Sequence, residues 1–268
     1  MAGAVRQVGQ ARASRLRATL AAGGVALGMH CFSGAPSAIE AFGFGGLDFA
    51  ILDREHSANG TESVAAAVRA ADGVGLDLLL RAPVLDAGLG ALLDLGLAGL
   101  VVPGATLPRM REANRLARFA PAGGRGACPA VRAGGYAVSD WSAFAAASNR
   151  EMLLVALVED RAGLADVEVI AAEPGVDALF VGAFDLAVSL GLPPGELRSP
   201  GLKPCLDRVL AAARRHGKAV MASAGHSGGD YAAWLQGEGV RILSGGADLQ
   251  IVQRAAADFR ASVKGDAR

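Results

Sequence analysis

The chain has 268 residues, of which 52% are hydrophobic and 19% charged, and its 26 basic and 26 acidic side chains give a formal net charge of zero. A chain with this much apolar surface should fold, and the absence of excess positive charge excludes a protein that binds nucleic acid or an anionic membrane surface. The length is close to the roughly 250 residues of one (β/α)8 barrel, so we expect a single domain over residues 1–268.

The start of the chain and its cysteines indicate the compartment. Gly23 and Gly24 interrupt the basic and apolar N-terminal region, which favours a helix before a first strand over a signal peptide. The three cysteines, Cys31, Cys128 and Cys205, are widely spaced, without a metal-binding pattern. No later segment has 18 consecutive apolar residues, so we expect no membrane span. We therefore expect a cytoplasmic protein.

Short apolar runs alternate with amphipathic segments along the chain, which is typical of βα units around a parallel sheet. Eight strands are predicted, at Val25–Met29, Asp48–Leu52, Leu78–Arg81, Leu100–Val102, Leu153–Val158, Ala178–Val181, Ala219–Ala222 and Val240–Leu243. Helices are predicted between them, at Glu62–Ala71, Arg109–Phe119, Leu164–Ala172, Cys205–His216 and Tyr231–Gln236. Because no GxGxxG follows the first strand, we favour an α/β fold of the closed (β/α)8 TIM barrel type over an open doubly wound sheet.

Two segments depart from this rhythm. The stretch 121–152 is rich in glycine, arginine and aromatic residues and predicts a long excursion over one end of the barrel. It could meet an anionic substrate or a neighbouring subunit, or it could be an ordinary surface loop. After Gln250, a helical tail to Lys264 is predicted either to close the barrel bottom or to pack on a partner.

Polar residues follow several predicted strands, and in a barrel the carboxyl ends of the strands carry the active site. These residues are Asp53, Glu55 and His56 after the second strand, Arg81 at the end of the third, Glu159 after the fifth and Asp185 after the sixth. Glu159 and Asp185 follow neighbouring strands, so they could hold Mg2+ or Mn2+. Alternatively, Glu159 pairs with Arg161, and Asp185 caps the helix that follows.

His56 and Arg81 are the candidates for moving protons and stabilising charge. A carboxylate partner at Asp53 would orient the imidazole of His56 as a general base, although a histidine satisfied within the fold is the alternative. We interpret Arg81 as a clamp on an oxyanion rather than as an ion pair of the fold. Alanine at either position should lower turnover sharply and leave the fold intact.

The lysines bear on how a carbanion next to a ketone would be stabilised, by a Schiff base or by a metal ion. The chain has only Lys203, Lys218 and Lys264, and none of them ends a predicted strand. The sequence therefore favours the metal route.

Four segments together resemble the HpcH/HpaI family of metal-dependent pyruvate aldolases, over nearly the whole chain. They are Asp48–Ser57, Leu100–Pro103, Pro121–Gly126 and Phe180–Leu186. The resemblance implies a TIM barrel whose last helix is swapped between subunits, in a homohexamer built as a trimer of dimers. It also implies a divalent metal ion, Mg2+ or Mn2+ with Co2+ as a third candidate. The implied reaction cleaves or forms the C3–C4 bond of a 4-hydroxy-2-oxo acid, giving pyruvate and an aldehyde.

The resemblance also implies roles for the catalytic residues. His56 becomes the base, with Asp53 close to it. Asp94 matches an aspartate that approaches the histidine from an adjacent subunit, and Arg81 matches the arginine that stabilises the developing enolate.

The implied binding residues lie after the fifth and sixth strands. Glu159 and Asp185 match the metal ligands. The backbone amides around Gly182, Ala183 and Phe184 match those that hold the pyruvate carboxylate, while Arg81 contributes to substrate binding.

The chain departs from the family pattern at three positions. Leu157 stands where the family usually has Gln, and Ala183 stands where it usually has Pro, which we expect to loosen the loop that presents the amides. Both departures bear on catalytic efficiency or substrate choice. His30 takes the place of a bulky aromatic residue and is expected to face the distal part of the substrate.

Three other functions stay open. A CoA-thioester lyase of the malyl-CoA or citryl type shares the metal chemistry, but resembles this chain less around Asp53 and His56. Ser244–Gly246 could cradle phosphate in a different barrel enzyme. A non-catalytic metal-binding paralogue is suggested by Leu157, although the presence of His56 and Arg81 argues against it.

Overall fold

The computed structural model describes residues 8–225 and 229–265. Eight parallel strands close into a barrel in chain order, which confirms the predicted α/β fold of the (β/α)8 TIM barrel type. The strands are β1 Ala26–Cys31, β2 Phe49–Asp53, β3 Asp77–Arg81, β4 Gly99–Val102, β5 Leu153–Val158, β6 Ala178–Val181, β7 Ala219–Gly225 and β8 Ile242–Ala247. The ends of the predicted 1–268 domain, 1–7 and 266–268, lie outside the described residues.

Helices connect the strands and surround the barrel. They are α1 Arg15–Ala21, α2 Pro36–Phe44, α3 Thr61–Val74, α4 Leu89–Leu93, α5 Leu107–Ala117, α6 Trp141–Glu151, α7 Arg161–Ala165, α8 Val167–Ala172, α9 Ala183–Leu190, α10 Lys203–Arg215, α11 Gly229–Glu238 and α12 Asp248–Lys264. Within the described ranges, no helix combines the length and the apolar character that crossing a bilayer requires.

The barrel interior is packed with side chains from alternate strand positions. Phe49 and Ile51 of β2, Leu79 of β3 and Val155 of β5 are almost completely buried there. The other set of strand side chains packs against the helices. Each strand is therefore apolar on both faces, as expected for a parallel sheet covered on both sides.

The N-terminal segment closes the bottom of the barrel, at the amino ends of the strands. Leu16 of α1 inserts into the interior cluster and is 1% exposed. The carboxylate of Asp77, at the start of β3, accepts hydrogen bonds from Ser14 Oγ at 2.7 Å and from the Leu16 amide at 2.8 Å. Arg17 donates to Asp177, just before β6, at 2.7 Å.

The predicted helical tail does not close the bottom. Asp248, the first residue of α12, accepts hydrogen bonds from the amides of Phe32 and Ser33 in the loop that follows β1. Because β8 ends at the opposite face, α12 starts beside the carboxyl ends of the strands. Of the two alternatives for this tail, closure of the bottom is therefore wrong.

The stretch 121–152 forms a 3-10 turn, Arg132–Gly134, and helix α6. It lies at the amino ends of the strands: the Ala133 amide donates to the carbonyl of Asp94, and Arg132 forms a 2.7 Å salt bridge with Asp72. The prediction of an excursion over one barrel end is confirmed. Contact with a substrate at the opposite face of the same chain is excluded.

Candidate active site

A cavity of about 300 Å3 opens at the carboxyl ends of the strands. Its lining includes His30, Arg81, Glu159 and Asp185, together with residues 182–184 at the start of α9. These side chains are distant in sequence and meet because all strands of the barrel end at one face. The structure thus brings together the predicted anion clamp, both predicted metal ligands and the predicted carboxylate-binding amides.

Arg81 is held by carboxylates on one side. It pairs in register with Asp53 across β2 and β3; its Nε donates to Asp53 Oδ1 at 2.6 Å, and its Nη1 lies 3.4 Å from Glu55 Oε2. Burial alone would raise the pKa of Asp53, but hydrogen bonds from Arg81 and from two backbone amides outweigh it and lower that pKa. The buried Nη2 has no hydrogen-bond partner among the described residues. An unpaired buried donor beside a cavity indicates a place for an anionic ligand atom.

The Asp53 carboxylate does not hold the imidazole ring of His56 in the way we expected. It is fully buried and accepts hydrogen bonds from the backbone amides of Glu55 at 3.0 Å and of His56 at 2.9 Å. The tight turn after β2 directs these amides, rather than the ring, at the carboxylate. The ring is 60% exposed, and its Nε2 lies 3.8 Å from Glu55 Oε2. Glu55 therefore links His56 to Arg81.

Glu159 is a desolvated carboxylate beside other carboxylates. Its Oε1 accepts a 2.7 Å hydrogen bond from the amide of Gly104, a residue whose φ of +55° favours glycine. Burial first, and then the charges of Glu55 and Asp185, raise the pKa of Glu159 to about 7 against the opposing effects of Gly104 and Arg81. The alternative ion pair with Arg161 is not formed within the described part of the chain.

Asp185 lies in the first turn of α9, but it is not the cap residue. The N-cap position belongs to Gly182, and Asp185 comes three residues later. A Cβ atom at position 182 would lie only 2.8 Å from Cβ of Glu159, so glycine is needed where β5 and β6 end side by side. The alternative role of Asp185 as helix N-cap is therefore wrong.

This arrangement suits a hard divalent cation. Glu159 and Asp185 line the cavity, and Glu55 adds a third negative charge that acts on Glu159. The Arg81 guanidinium is already paired with Asp53. Carboxylate oxygens are the ligands that Mg2+ and Mn2+ prefer. Among the described residues, no group of three or more His, Cys, Asp or Glu side chains could hold an ion alone, so a cation at Glu159 and Asp185 would need further oxygens from substrate or solvent.

The start of α9 offers backbone donors. The first intrahelical hydrogen bond runs from the Leu186 amide to the Gly182 carbonyl, so the amides of Ala183 and Phe184 have no partner within the helix. Such amides attract carboxylates. Ala183 is the first residue of regular helix and supplies an N–H that proline lacks; the expected loosening of this loop stays a prediction.

His30 forms part of the cavity at the end of β1. Its ring stacks on Phe180 with centroids 6.1 Å apart, and its Nε2 lies 3.1 Å from Ser244 Oγ. Burial, followed by the charge of Arg81, lowers the pKa of His30 to about 4. Ser244 and Gly245 are strand residues of β8, and Ser244 is fully buried. All three residues 244–246 lie within β8, which argues against the alternative of a phosphate cradle there.

His30 should make the protein acid-sensitive. The unfolded chain protonates this histidine below its ordinary pKa of 6.5, whereas the folded chain does so only near pH 4. Stability is therefore complete above pH 6.5 and falls as the pH drops towards 4, by about 3 kcal/mol from this group. Urea unfolding at pH 7 and pH 4.5 should show a smaller loss for His30→Phe than for the unchanged chain. Equal losses would contradict this expectation.

Several cavity residues were not identified from the sequence. Glu196, Ser223 and Tyr231 line the cavity, and Gly104 binds Glu159. Ser223 lies in β7, which runs beyond its predicted end at residue 222, so a more accurate strand end would have found it. Glu196 lies in an irregular segment rich in proline and glycine, where no periodic signal exists.

Asp94 lies at the opposite end of the barrel from the cavity of its own chain. It is the C-cap residue of α4, and it forms a 2.6 Å salt bridge with Arg125. Arg125 is buried and stacks over the ring of Phe119. Within one chain, Asp94 therefore does not meet His56, and the role implied for it needs a second subunit.

Comparison with known proteins adds independent evidence. Residues 26–255 match the family described as HpcH/HpaI aldolase/citrate lyase. A 5-keto-4-deoxy-D-glucarate aldolase from Klebsiella pneumoniae is 29% identical, over 90% of this chain and 93% of its own length. A hydroxypyruvate/pyruvate aldolase from Paraburkholderia phytofirmans is 34% identical, over 69% of this chain and 73% of its own length. The crystal structure of an HpcH/HpaI aldolase from Desulfitobacterium hafniense superposes with a TM-score of 0.86, at 28% identity and 94% and 97% coverage. A citrate lyase beta subunit from Mycobacterium tuberculosis is more distant, at 20% identity and a TM-score of 0.53.

Proposed function

Since the chain belongs to the HpcH/HpaI aldolase/citrate lyase family, we propose that it is a carbon–carbon lyase that cleaves or forms the C3–C4 bond of a 4-hydroxy-2-oxo acid. The products of cleavage are pyruvate and an aldehyde. The observation that carries this proposal is the single cavity that contains Arg81 with an unpaired donor, the carboxylates of Glu159 and Asp185, and the amides that begin α9.

Each of these groups would serve one function in the reaction. The amides of Ala183 and Phe184 would hold the carboxylate of the 2-oxo acid at the positive end of α9. Glu159 and Asp185 would hold a divalent cation, Mg2+, Mn2+ or Co2+, which when bound supplies Lewis-acid stabilisation of negative charge on the 2-oxo group. Nη2 of Arg81 would donate to the oxygen that becomes negatively charged in the enolate.

His56 is the proposed base. In the cleavage direction it accepts the proton of the 4-hydroxyl group, the electrons of the C3–C4 bond pass to the 2-oxo group, and the enolate then takes a proton at C3 to give pyruvate. Its exposed ring beside Glu55, which also contacts Arg81, supports this role. The fully buried Asp53 fixes both the Arg81 guanidinium and the His56 backbone.

The test is pyruvate release, coupled to lactate dehydrogenase, from a panel of 4-hydroxy-2-oxo acids. Protein stripped with EDTA should be inactive, and Mg2+, Mn2+ or Co2+ should restore release. His56→Ala should lower the rate by about 10²–10⁴-fold, whereas His216→Ala, which removes a histidine paired with Glu168 on the surface, should not. Activity that survives EDTA would overturn the metal role. If no compound of the panel releases pyruvate, the CoA-thioester lyase or the non-catalytic paralogue would be favoured.

A homo-oligomer completes the proposal. Helix α12 exposes large apolar side chains along its length, at Leu249, Val252, Phe259 and Val263, and exposed apolar patches of this kind are typical of protein interfaces. This proposal includes a hexamer built as a trimer of dimers, with α12 swapped between subunits. It also includes a contact of Asp94 with His56 of another subunit. Sedimentation equilibrium would reveal a monomer if it is wrong.

The location proposed is the cytoplasm. Cys31, Cys128 and Cys205 are all free thiols, although Cys128 is exposed. Free cysteines are typical of proteins kept in a reducing compartment. Small-molecule substrates of the aldolase type require no nucleic acid or membrane partner.

A further inference from the structure

The segment between α9 and α10 contributes an acidic residue to the cavity. Glu196 lines the cavity, and its neighbour Leu197 is completely buried. The Leu197 amide donates to Tyr231 Oη at 2.8 Å. The backbone of this segment is therefore fixed next to Glu196 by a buried tyrosine of α11.

A salt bridge holds the side chain of Glu196 as well. Nε of Arg198 lies 2.5 Å from Glu196 Oε2, and the Arg198 guanidinium lies over the ring of Tyr231 at 5.4 Å. Arg198 is not among the residues that line the cavity, whereas Glu196 and Tyr231 are. Glu196 therefore lines the cavity with its charge paired to an arginine that packs on the tyrosine ring and does not line the cavity.

The charges around the cavity leave Glu196 without a role in the proposed reaction. The charged residues that line it within the described ranges are Arg81, Glu159, Asp185 and Glu196. Arg81 and the amides of α9 serve the 2-oxo acid, and Glu159 and Asp185 serve the cation. No second cationic side chain among these lining residues could receive another carboxylate.

We propose that Glu196 is a specificity-determining residue that selects neutral, hydroxyl-bearing aldehydes over aldehydes that carry a carboxylate. This inference rests on the proposed aldolase function. A fixed carboxylate accepts hydrogen bonds from hydroxyl groups, and it repels a second carboxylate brought into the same partly desolvated space. Such a repulsive element is a common source of specificity.

The uncharged polar residues of the cavity also favour a neutral, hydroxyl-bearing aldehyde. Ser223 and Tyr231 line it together with Glu196, and serine and tyrosine hydroxyls can donate to or accept from hydroxyl groups. His30 is neutral at physiological pH. A hydroxylated aldehyde therefore meets hydrogen-bonding partners without a charge that it must neutralise.

The experiment measures kcat/KM for aldol addition of pyruvate to glyceraldehyde and to succinic semialdehyde, with the cation present. The unchanged protein should prefer glyceraldehyde. Glu196→Gln, which keeps the shape and removes the charge, should shift the preference about tenfold towards succinic semialdehyde. Glu112→Gln is the matched control, because Glu112 pairs with Arg115 on the surface of α5. A preference in Glu196→Gln within twofold of the unchanged protein would overturn the inference.

A double variant separates repulsion by Glu196 from capture by Arg198. If Glu196 repels the acid aldehyde, the shift should persist in Glu196→Gln combined with Arg198→Ala. If the shift disappears, a released Arg198 binds the acid, and the inference is wrong.

Exchange of the C3 protons of pyruvate with deuterium, followed by NMR without aldehyde, tests the proposed function on the unchanged protein. No exchange and no aldol product would refute both proposals. If the unchanged protein exchanges the C3 protons but Glu196→Gln leaves the aldehyde preference unchanged, only the role of Glu196 is refuted.

Discussion

Arg81→Ala is expected to reduce pyruvate release by about 10²–10³-fold and to destabilise the fold by about 3–5 kcal/mol. The first effect follows from losing the unpaired Nη2 beside the cavity. The second follows because Asp53, completely buried, would lose the 2.6 Å hydrogen bond that balances its charge. The sequence had led us to expect an intact fold in this variant, and the structure argues against that. Urea unfolding and the coupled assay measure the two effects.

Arg81→Lys separates the loss of activity from the loss of stability. Lysine restores a positive charge near Asp53, but it lacks the fork that lets arginine contact Asp53, Glu55 and a substrate together. We expect most of the stability to return and most of the activity to stay lost. If activity instead returned in proportion to stability, Arg81 would act only through the fold.

Glu159→Gln should remove the response to divalent cations and lower pyruvate release by about 10³-fold, since Lewis-acid stabilisation contributes several kcal/mol. Glutamine can still accept the hydrogen bond from the Gly104 amide, so the local backbone should be preserved. The coupled assay with and without added cation measures the loss, and Glu112→Gln again serves as the control. Full restoration of the variant by Mg2+ would exclude Glu159 as a ligand.

The same variant offers a readout that does not depend on turnover. In EDTA at pH 8, the Glu159 carboxylate is charged although it is largely buried and lies near the charges of Glu55 and Asp185, with no divalent cation to compensate. Glu159→Gln should therefore raise the Tm of the metal-free protein. A lower Tm would indicate that the charge of Glu159 is stabilised by the fold itself.

The strands and their polar ends could be predicted because each signal is local. A buried parallel strand is a short apolar run, and the residue that follows it lies at the active face whatever the exact packing. Arg81, Glu159 and Asp185 were found in this way. The family resemblance added roles to positions that strand periodicity alone had only located.

The contacts that the sequence did not predict depend on the geometry between distant segments of the chain. Whether Asp53 contacts the ring or the amide of His56 is decided by the turn after β2. Whether 244–246 forms a loop or a strand is decided by pairing with β1 and β7. Glu196 lies at the cavity beside Leu197, which is anchored by Tyr231, 34 residues after Leu197. None of these contacts leaves a pattern within a short window of sequence.

The segment that seals the bottom of the barrel has a consequence for synthesis on the ribosome. Leu16 and Arg17 emerge early, but Asp177, which binds Arg17, follows 160 residues later. At about 5–20 residues per second, this delay lasts roughly 8–30 s. During that interval Leu16 has no completed interior to enter, so the nascent chain carries an unsealed amphipathic end that chaperones can bind. Limited proteolysis of stalled nascent chains should show full protection of residues 14–17 only after β8 has emerged, because the cluster around Leu16 includes Met221 of β7 and Ile242 of β8.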